Sequence, residues 1–317
     1  MNITALTGAL LPVFFVLVLG YIAGKRNSFS HDQAAGLSKL ALSFALPASL
    51  FVGMADIPKN LLLQQGSLVL ALLIVHTGFF LAAWFLFGLV KSLRGTPAII
   101  YALALSTSAT PVFGLAVLEP VLGSTAAGAV GLVALAINLV VPPAVILLEM
   151  EAAKVGQGGT SGSSNRGAII AGLNSGLKSP LLWAPILGTA LVLVGIRLPA
   201  IVAGCFSLIG STTSGVAVFA VGLVLAAHSV RLSPAVWLGS VGRVTVQTAI
   251  LFALIHLLKI ESPFARETLA CCSFPLATVV VLFAAKYKAV ESEAASMLLV
   301  STLALVVTIP CTLWLSR

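Results

Sequence analysis

Apolar stretches of about twenty residues follow one another along almost the whole chain, and that recurrence constrains the fold more than any single motif. A bilayer core about 30 Å thick is crossed by about 20 apolar residues in a helix. Of the 317 residues, 59% are hydrophobic and only 8% are charged, where a soluble domain carries roughly a quarter. The solvent for this chain is therefore lipid, and little sequence is left over for a soluble domain.

Charge, Gly and Pro bound the apolar windows and place spans at 4–24, 36–54, 67–90, 97–117 and 122–148. A second set follows at 180–197, 200–226, 235–258, 265–284 and 294–315. No Lys or Arg precedes Lys25, so the first window reads as a span rather than a secretory leader with its basic start. The expected fold class is an all-α polytopic membrane protein of ten transmembrane helices. Residues 1–148 form one five-helix unit and 179–317 another, joined by a linker at 149–178 whose Gly156 to Ser164 run is rich in Gly and Ser.

An odd number of spans per unit gives the two units opposite orientations, which is the inverted-repeat plan of many carriers. A shift of 168 residues lays Leu46 to Phe51 on Ser214 to Phe219 and the third span on the eighth, while Pro111 and Pro275 correspond at a shift of 164. The Lys/Arg bias of short loops puts Lys59, Arg197, Lys259, Arg266 and Arg317 outside and the other basic residues, Arg243 apart, in the cytoplasm. Both termini then face the periplasm or exterior and the linker is cytoplasmic. The net charge of +8 is mostly this topology signal and calls for no nucleic-acid partner.

Spans 4 and 9 each carry a mid-membrane proline beside small polar residues: Ser106, Thr107, Ser108, Thr110, Pro111 and Gly114 in one, Cys272, Ser273, Pro275 and Thr278 in the other. Proline removes a backbone donor and clashes with the preceding turn, which frees backbone groups at a depth where lipid cannot satisfy them. A kink packed against neighbouring helices explains one such proline. Two at matching places point to helices that unwind and cross, with half-helix N-termini turned toward an anion.

The acids sharpen this. Asp32, Asp56, Glu119, Glu149, Glu151, Glu261, Glu267, Glu291 and Glu293 all fall in loops or at helix ends, whereas cation carriers and proton pumps usually keep a carboxylate in the membrane. A sodium site of carbonyls and hydroxyls stays open. Two ionisable residues do lie within spans, His76 and Arg243. An unpaired intramembrane Arg costs at least several kcal/mol, so Arg243 pairs with a substrate carboxylate, caps carbonyls of the broken helices, or snorkels to the surface. His76 reads as a hydrogen-bonded core histidine or a proton relay.

Further polar residues in spans are Ser43 and Asn138, the run Ser211, Thr212, Thr213 and Ser214, and Gln247. Ser and Thr in lipid commonly bond their own helix; the four-hydroxyl run covers every helix face and is the exception to examine. His76, Asn138 and Gln247 are the candidates for coupling. Cys205, Cys271, Cys272 and Cys311 lack the spacing of a metal site, so no metal or other cofactor is expected beyond a coupling Na+ or H+.

Leu11-Pro12-Val13-Phe14-Phe15 running to Gly20-Tyr21 and Lys25-Arg26, followed by Ala45-Leu46-Pro47-Ala48-Ser49-Leu50-Phe51, resembles the auxin efflux carrier family. Ser179-Pro180-Leu181-Leu182-Trp183, Gly195-Ile196-Arg197-Leu198-Pro199 and Gly215 to Leu225 look like its bacterial members, above all the malonate transporter branch. The resemblance implies a scaffold of helices 1, 2, 6 and 7 and a mobile transport domain of helices 3–5 and 8–10. It also implies a carboxylate held where helices 4 and 9 cross, and elevator-like alternating access; Ser43, Pro47 and Ser214 join the substrate-binding candidates. Plant members place an Asn near that crossing, where this chain has hydroxyls.

The leading expectation is a bacterial inner-membrane carrier of a small organic anion, malonate by preference. A sodium-coupled carrier of larger anions, like the bile acid symporters, is the rival within transport. An intramembrane enzyme is remote, because the chain holds no H-E-x-x-H pair, no intramembrane Asp pair and no nucleophile with a base. Small-residue helix faces allow a homodimer.

Overall fold

A computed structural model describes residues 3–111, 114, 118, 125–156, 170, 174, 177–227, 230, 232–260, 262 and 264–315, and these are helical almost throughout. The first unit contains α1 (Ile3–Lys25), α2 (His31–Leu40), α3 (Leu46–Ala55), α4 (Lys59–Gln64), α5 (Gly66–Leu73), α6 (Phe79–Leu89), α7 (Thr96–Ser106), α8 (Thr125–Asn138) and α9 (Val141–Gly156). The second contains α10 (Pro180–Val194), α11 (Ala200–Gly210), α12 (Thr212–Ala227), α13 (Pro234–Trp237), α14 (Arg243–Leu257), α15 (Ala265–Cys271), α16 (Thr278–Lys286) and α17 (Glu291–Leu315). The expected linker opens inside α9, which runs on to Gly156; residues 157–169 lie outside the described part.

Local chemistry sets the helix ends. Ser30 accepts from the Gln33 amide at 3.2 Å while Gln33 Oε1 accepts from the Ser30 amide at 2.8 Å, a reciprocal cap that starts α2. Gly195 ends α10 in the left-handed region at φ 84°, where a side chain is disfavoured.

Some helices join through single π-helical turns, Ala41–Ala45 between α2 and α3, Ile74–Gly78 between α5 and α6, and Leu238–Gly242 between α13 and α14. Five continuous stretches, Asp32–Ala55, Gly66–Leu89, Gly128–Lys154, Ala200–Ala227 and Pro234–Leu257, are long and apolar enough to cross a membrane. Phe14–Lys25, Thr96–Ser106 and Pro180–Val194 are shorter apolar helices.

The surface is the inverse of a soluble protein's. Ile201, Leu208, Leu257 and Phe15 are exposed while Arg243, His76, Gln247 and Thr110 are buried. Side chains that lipid can wet face outward and hydrogen-bonding groups face one another. The protein is a polytopic membrane protein.

Helix α1 packs along α12, and α3 packs on α10 and α11. These contacts are backbone-close. A Cβ on Gly20 would strike the Phe219 carbonyl, one on Gly222 the Leu17 carbonyl, and one on Gly188 would lie 2.6 Å from the Phe51 oxygen. Small residues at such crossings let helices gain dispersion contact where no hydrophobic driving force is available.

Candidate functional site

Helix α7 stops at Ser106, and Thr107 is extended at φ −116°, ψ 147°. Ser108 then forms an antiparallel bridge with Leu276, and the Ala109 amide donates to the Pro275 carbonyl at 2.8 Å. Helix resumes at Thr110. On the other side the chain is non-helical between the end of α15 at Cys271 and the start of α16 at Thr278. The two interrupted spans thus meet at their interruptions.

Where helix 4 breaks differs from the expectation. The interruption precedes Pro111, which sits in the first turn of the resumed helix, where a missing N–H and a preset φ are favourable. Pro275 lies inside the unwound segment and is buried. One proline restarts a helix and the other occupies a gap.

Several carbonyls at the two breaks have protein donors. His76 Nδ1 donates to Ser106 O at 2.7 Å, and Arg243 Nη1 donates to Thr107 O at 3.4 Å. Thr110 Oγ1 donates to Cys271 O at 2.8 Å and lies 2.7 Å from Ser108 Oγ, which therefore serves as donor to it. Thr308 Oγ1 on α17 donates to Ser273 O at 3.1 Å. Ser301 Oγ, on the same helix, accepts from the Leu276 amide at 3.1 Å, and Ser273 Oγ meets Thr312 Oγ1 at 2.5 Å. The cost of breaking a helix in lipid is thereby offset bond by bond.

Arg243 is the largest fully buried side chain, with none of its surface exposed. It does not snorkel. Besides Thr107 O, its Nη1 meets Gln247 Oε1 at 3.3 Å, but Nε and Nη2 have no hydrogen-bond partner among the described residues. Neither the Lys154–Glu151 pair nor the Lys286–Glu149 pair involves it. The π-helical turn Leu238–Gly242 ends immediately before Arg243, and the turn Ile74–Gly78 contains His76. Such turns re-aim the side chains that follow and recur at functional sites.

Ser106, Thr107, Ser108, Thr110, Cys272, Ser273, Pro275, His76, Arg243 and Gln247 are thus buried on or beside the two breaks. Ser106 and Thr107 turn their hydroxyls back onto Ala102 O and Leu103 O. Gly114 is buried against Val130, Thr278 begins α16 half-buried, and Pro111 is exposed. Ser43 lies half-buried in the first π-helical turn, and Pro47 is buried in the first turn of α3. Asn138 Nδ2 faces Met54 Sδ at 3.8 Å. Ser211 and Thr212 bond Leu208 O and Ile209 O of their own helix; the side chains of Thr213 and Ser214 lie outside the described part. Ser301, Thr308 and Thr312 on α17 are further polar residues at the breaks, and spacings of seven and four put them on one helix face.

At the C-terminal end of α16, Tyr287 donates to Glu149 Oε1 at 2.7 Å and Lys286 Nζ lies 3.0 Å from the same oxygen. Burial first, then the bond to the Glu149 carboxylate and its charge, pushes the Tyr287 phenol well above its usual range. It stays a donor at neutral pH.

A lipid-facing apolar exterior around a buried polar centre, built where two broken helices meet, is the architecture of a membrane protein with a polar interior. The chain belongs to the membrane transport protein family, whose model matches residues 5–314, and the relationship to the auxin efflux carriers holds over nearly its full length. It is 32% identical over 318 residues to the Uncharacterized transporter YfdV of Escherichia coli (strain K12), with 99% of each chain covered. The protein of the same name in Shigella flexneri matches equally. A segment of 54 residues, 17% of this chain, is 48% identical to 6% of the mouse Lysosomal cholesterol signaling protein. The protein is a transporter, not an enzyme.

Proposed function

We propose that the protein is a secondary carrier of a small organic anion, malonate by preference, whose carboxylate docks on Arg243 where spans 4 and 9 meet. The observation that carries this is the buried guanidinium with two N–H-bearing nitrogens unpartnered among the described residues. A planar fork of this kind matches a carboxylate bidentately. The sodium-coupled alternative fares worse on the same geometry. The break carbonyls Ser106 O, Thr107 O, Cys271 O, Ser273 O and Pro275 O already accept from protein donors. Arg243, by contrast, has N–H donors to spare, which suits an anion.

Ten spans in a five-plus-five inverted repeat belong to this proposal. The bridge joins Ser108 to Leu276, linking the breaks of the two spans whose prolines correspond in the two units, which supports the repeat. The packing of α1 on α12 and of α3 on α10 and α11 supports a scaffold of spans 1, 2, 6 and 7, against which spans 3–5 and 8–10 travel as an elevator. The charge bias supports a bacterial inner membrane with both termini outside.

Uptake of labelled malonate into proteoliposomes tests the reading, with succinate, acetate and indole-acetate as competitors. Saturable uptake that needs Arg243 supports it. Transport of another anion in place of malonate leaves the site and removes the substrate; no anion transport removes both.

A further inference from the structure

The centre holds two unmet hydrogen-bonding functions of opposite kind. Ser106 and Thr107 present consecutive carbonyls, one taken by His76 Nδ1 and the other by Arg243 Nη1, so imidazole and guanidinium dock side by side on the same break. Gln247 spans them. Its Oε1 accepts from Arg243 at 3.3 Å, which leaves its amide nitrogen 3.5 Å from His76 Nδ1.

A carbonyl only accepts, so the His76 proton at this bond sits on Nδ1. Nδ1 has then no lone pair for Gln247, and the amide merely abuts the ring. In the neutral imidazole the lone pair belongs to Nε2, which is buried and has no partner among the described residues.

Arg243 therefore asks for a carboxylate, and His76 Nε2 asks for a donor. A monocarboxylate answers only the first. A dicarboxylic acid that keeps one proton answers both, with its carboxylate on the Arg243 fork and its carboxyl O–H directed at Nε2. Building on the assignment of Arg243 as the carboxylate site, we propose that the carrier takes its dicarboxylate together with one proton, shared between the second carboxyl and His76 Nε2.

The charges balance. Arg243 contributes one positive charge and the hydrogen-dicarboxylate one negative, so the loaded site is neutral and suited to a low-dielectric transit. Transferring the proton from carboxyl to Nε2 gives a dianion beside two cations, with the same total. The α5, α6 and α8 segments packed on the His76 turn contain no ionisable group, α7 brings only Tyr101, and α14 brings Arg243 with His256 at its far, exposed end. Among the helices packed on α14, α15 brings Arg266 and Glu267, opposite in charge, in its first turn. The thiols of Cys271 and Cys272 lie on the second break.

The primary test uses the unaltered protein in proteoliposomes with a pH-sensitive dye inside. Inward malonate flux should carry protons, and an inside-alkaline gradient should accelerate uptake at least fivefold. Monomethyl malonate, which keeps one carboxylate but has no second carboxyl proton, should compete at least tenfold more weakly at mildly acidic pH. Uptake indifferent to the gradient, or a half-ester that competes as well as malonate, overturns the proposal.

His76→Asn adds a second readout, because its amide reaches Ser106 O as Nδ1 does but offers nothing at the Nε2 position. A monodisperse variant should lose the gradient response; retention of that response overturns the proposal. Arg243→Gln separates the two layers. If malonate binding survives it, the carboxylate site itself is wrong; if binding is lost while the unaltered protein shows no proton flux, only the proton is wrong.

Discussion

The two breaks are solved differently. At the first, the carbonyls of Ser106 and Thr107 are capped by an imidazole and a guanidinium reaching in from spans 3 and 8. At the second, Cys271 O, Ser273 O and the Leu276 amide are closed by hydroxyls of Thr110, Thr308 and Ser301. A neutral hydroxyl fills one gap and has little left to offer. A guanidinium carries five N–H groups, so it caps a carbonyl and still presents a fork. On the proposed reading, the first break meets the ligand and the second holds the fold.

That contrast is breakable at several points. Arg243→Gln should show the largest effect, a loss of about 100-fold in anion affinity, which corresponds to about 3 kcal/mol for a charge-assisted bidentate contact. Equilibrium binding of labelled malonate measures it, and a change under threefold would place the chemistry elsewhere. Thr110→Val should come next, because this hydroxyl joins the two breaks: about 1–3 kcal/mol of stability lost for a stranded buried carbonyl, seen as a lower thermal unfolding midpoint. If Thr110→Val is silent, the breaks are independent structures.

Ser301→Ala sharpens the comparison from the other side. Stranding the Leu276 amide should cost about 1–2 kcal/mol of stability with anion affinity within twofold of the unaltered protein. An affinity loss as large as that of Arg243→Gln would erase the distinction between the breaks. The smallest effect is expected at Tyr287→Phe, about 1 kcal/mol or less. Because the folded phenol titrates above its unfolded value, the contribution of Tyr287 is complete below about pH 10 and declines only above it. The unfolding midpoints of Tyr287→Phe and its parent should therefore differ at neutral pH and converge at strongly alkaline pH.

The sequence announced the broken helices through Pro111 and Pro275, because proline has a fixed effect on backbone bonding wherever it stands. It did not announce where helix 4 breaks, since a proline that opens a helix and one that interrupts it look alike in a string. Arg243 drew notice by its cost in lipid, and capping of a freed carbonyl was among its expected partners. The π-helical turns at Ile74–Gly78 and Leu238–Gly242 leave no residue-type mark, because one inserted residue in a helix changes register without changing composition. Ser301 and Thr308 are illegible in the sequence for a similar reason. A hydroxyl in an apolar helix usually serves its own backbone, and only the facing break gives these two another task.

The touching backbones at Gly20 and Gly222 have a mechanical consequence. Where two main chains meet without side chains between them, no compressible layer or rotamer is available to absorb a displacement. Spans 1 and 7 are thereby spliced into a single stiff spar. In the elevator proposed above, the stroke would run along a different seam, with this spar as the rail that stays put.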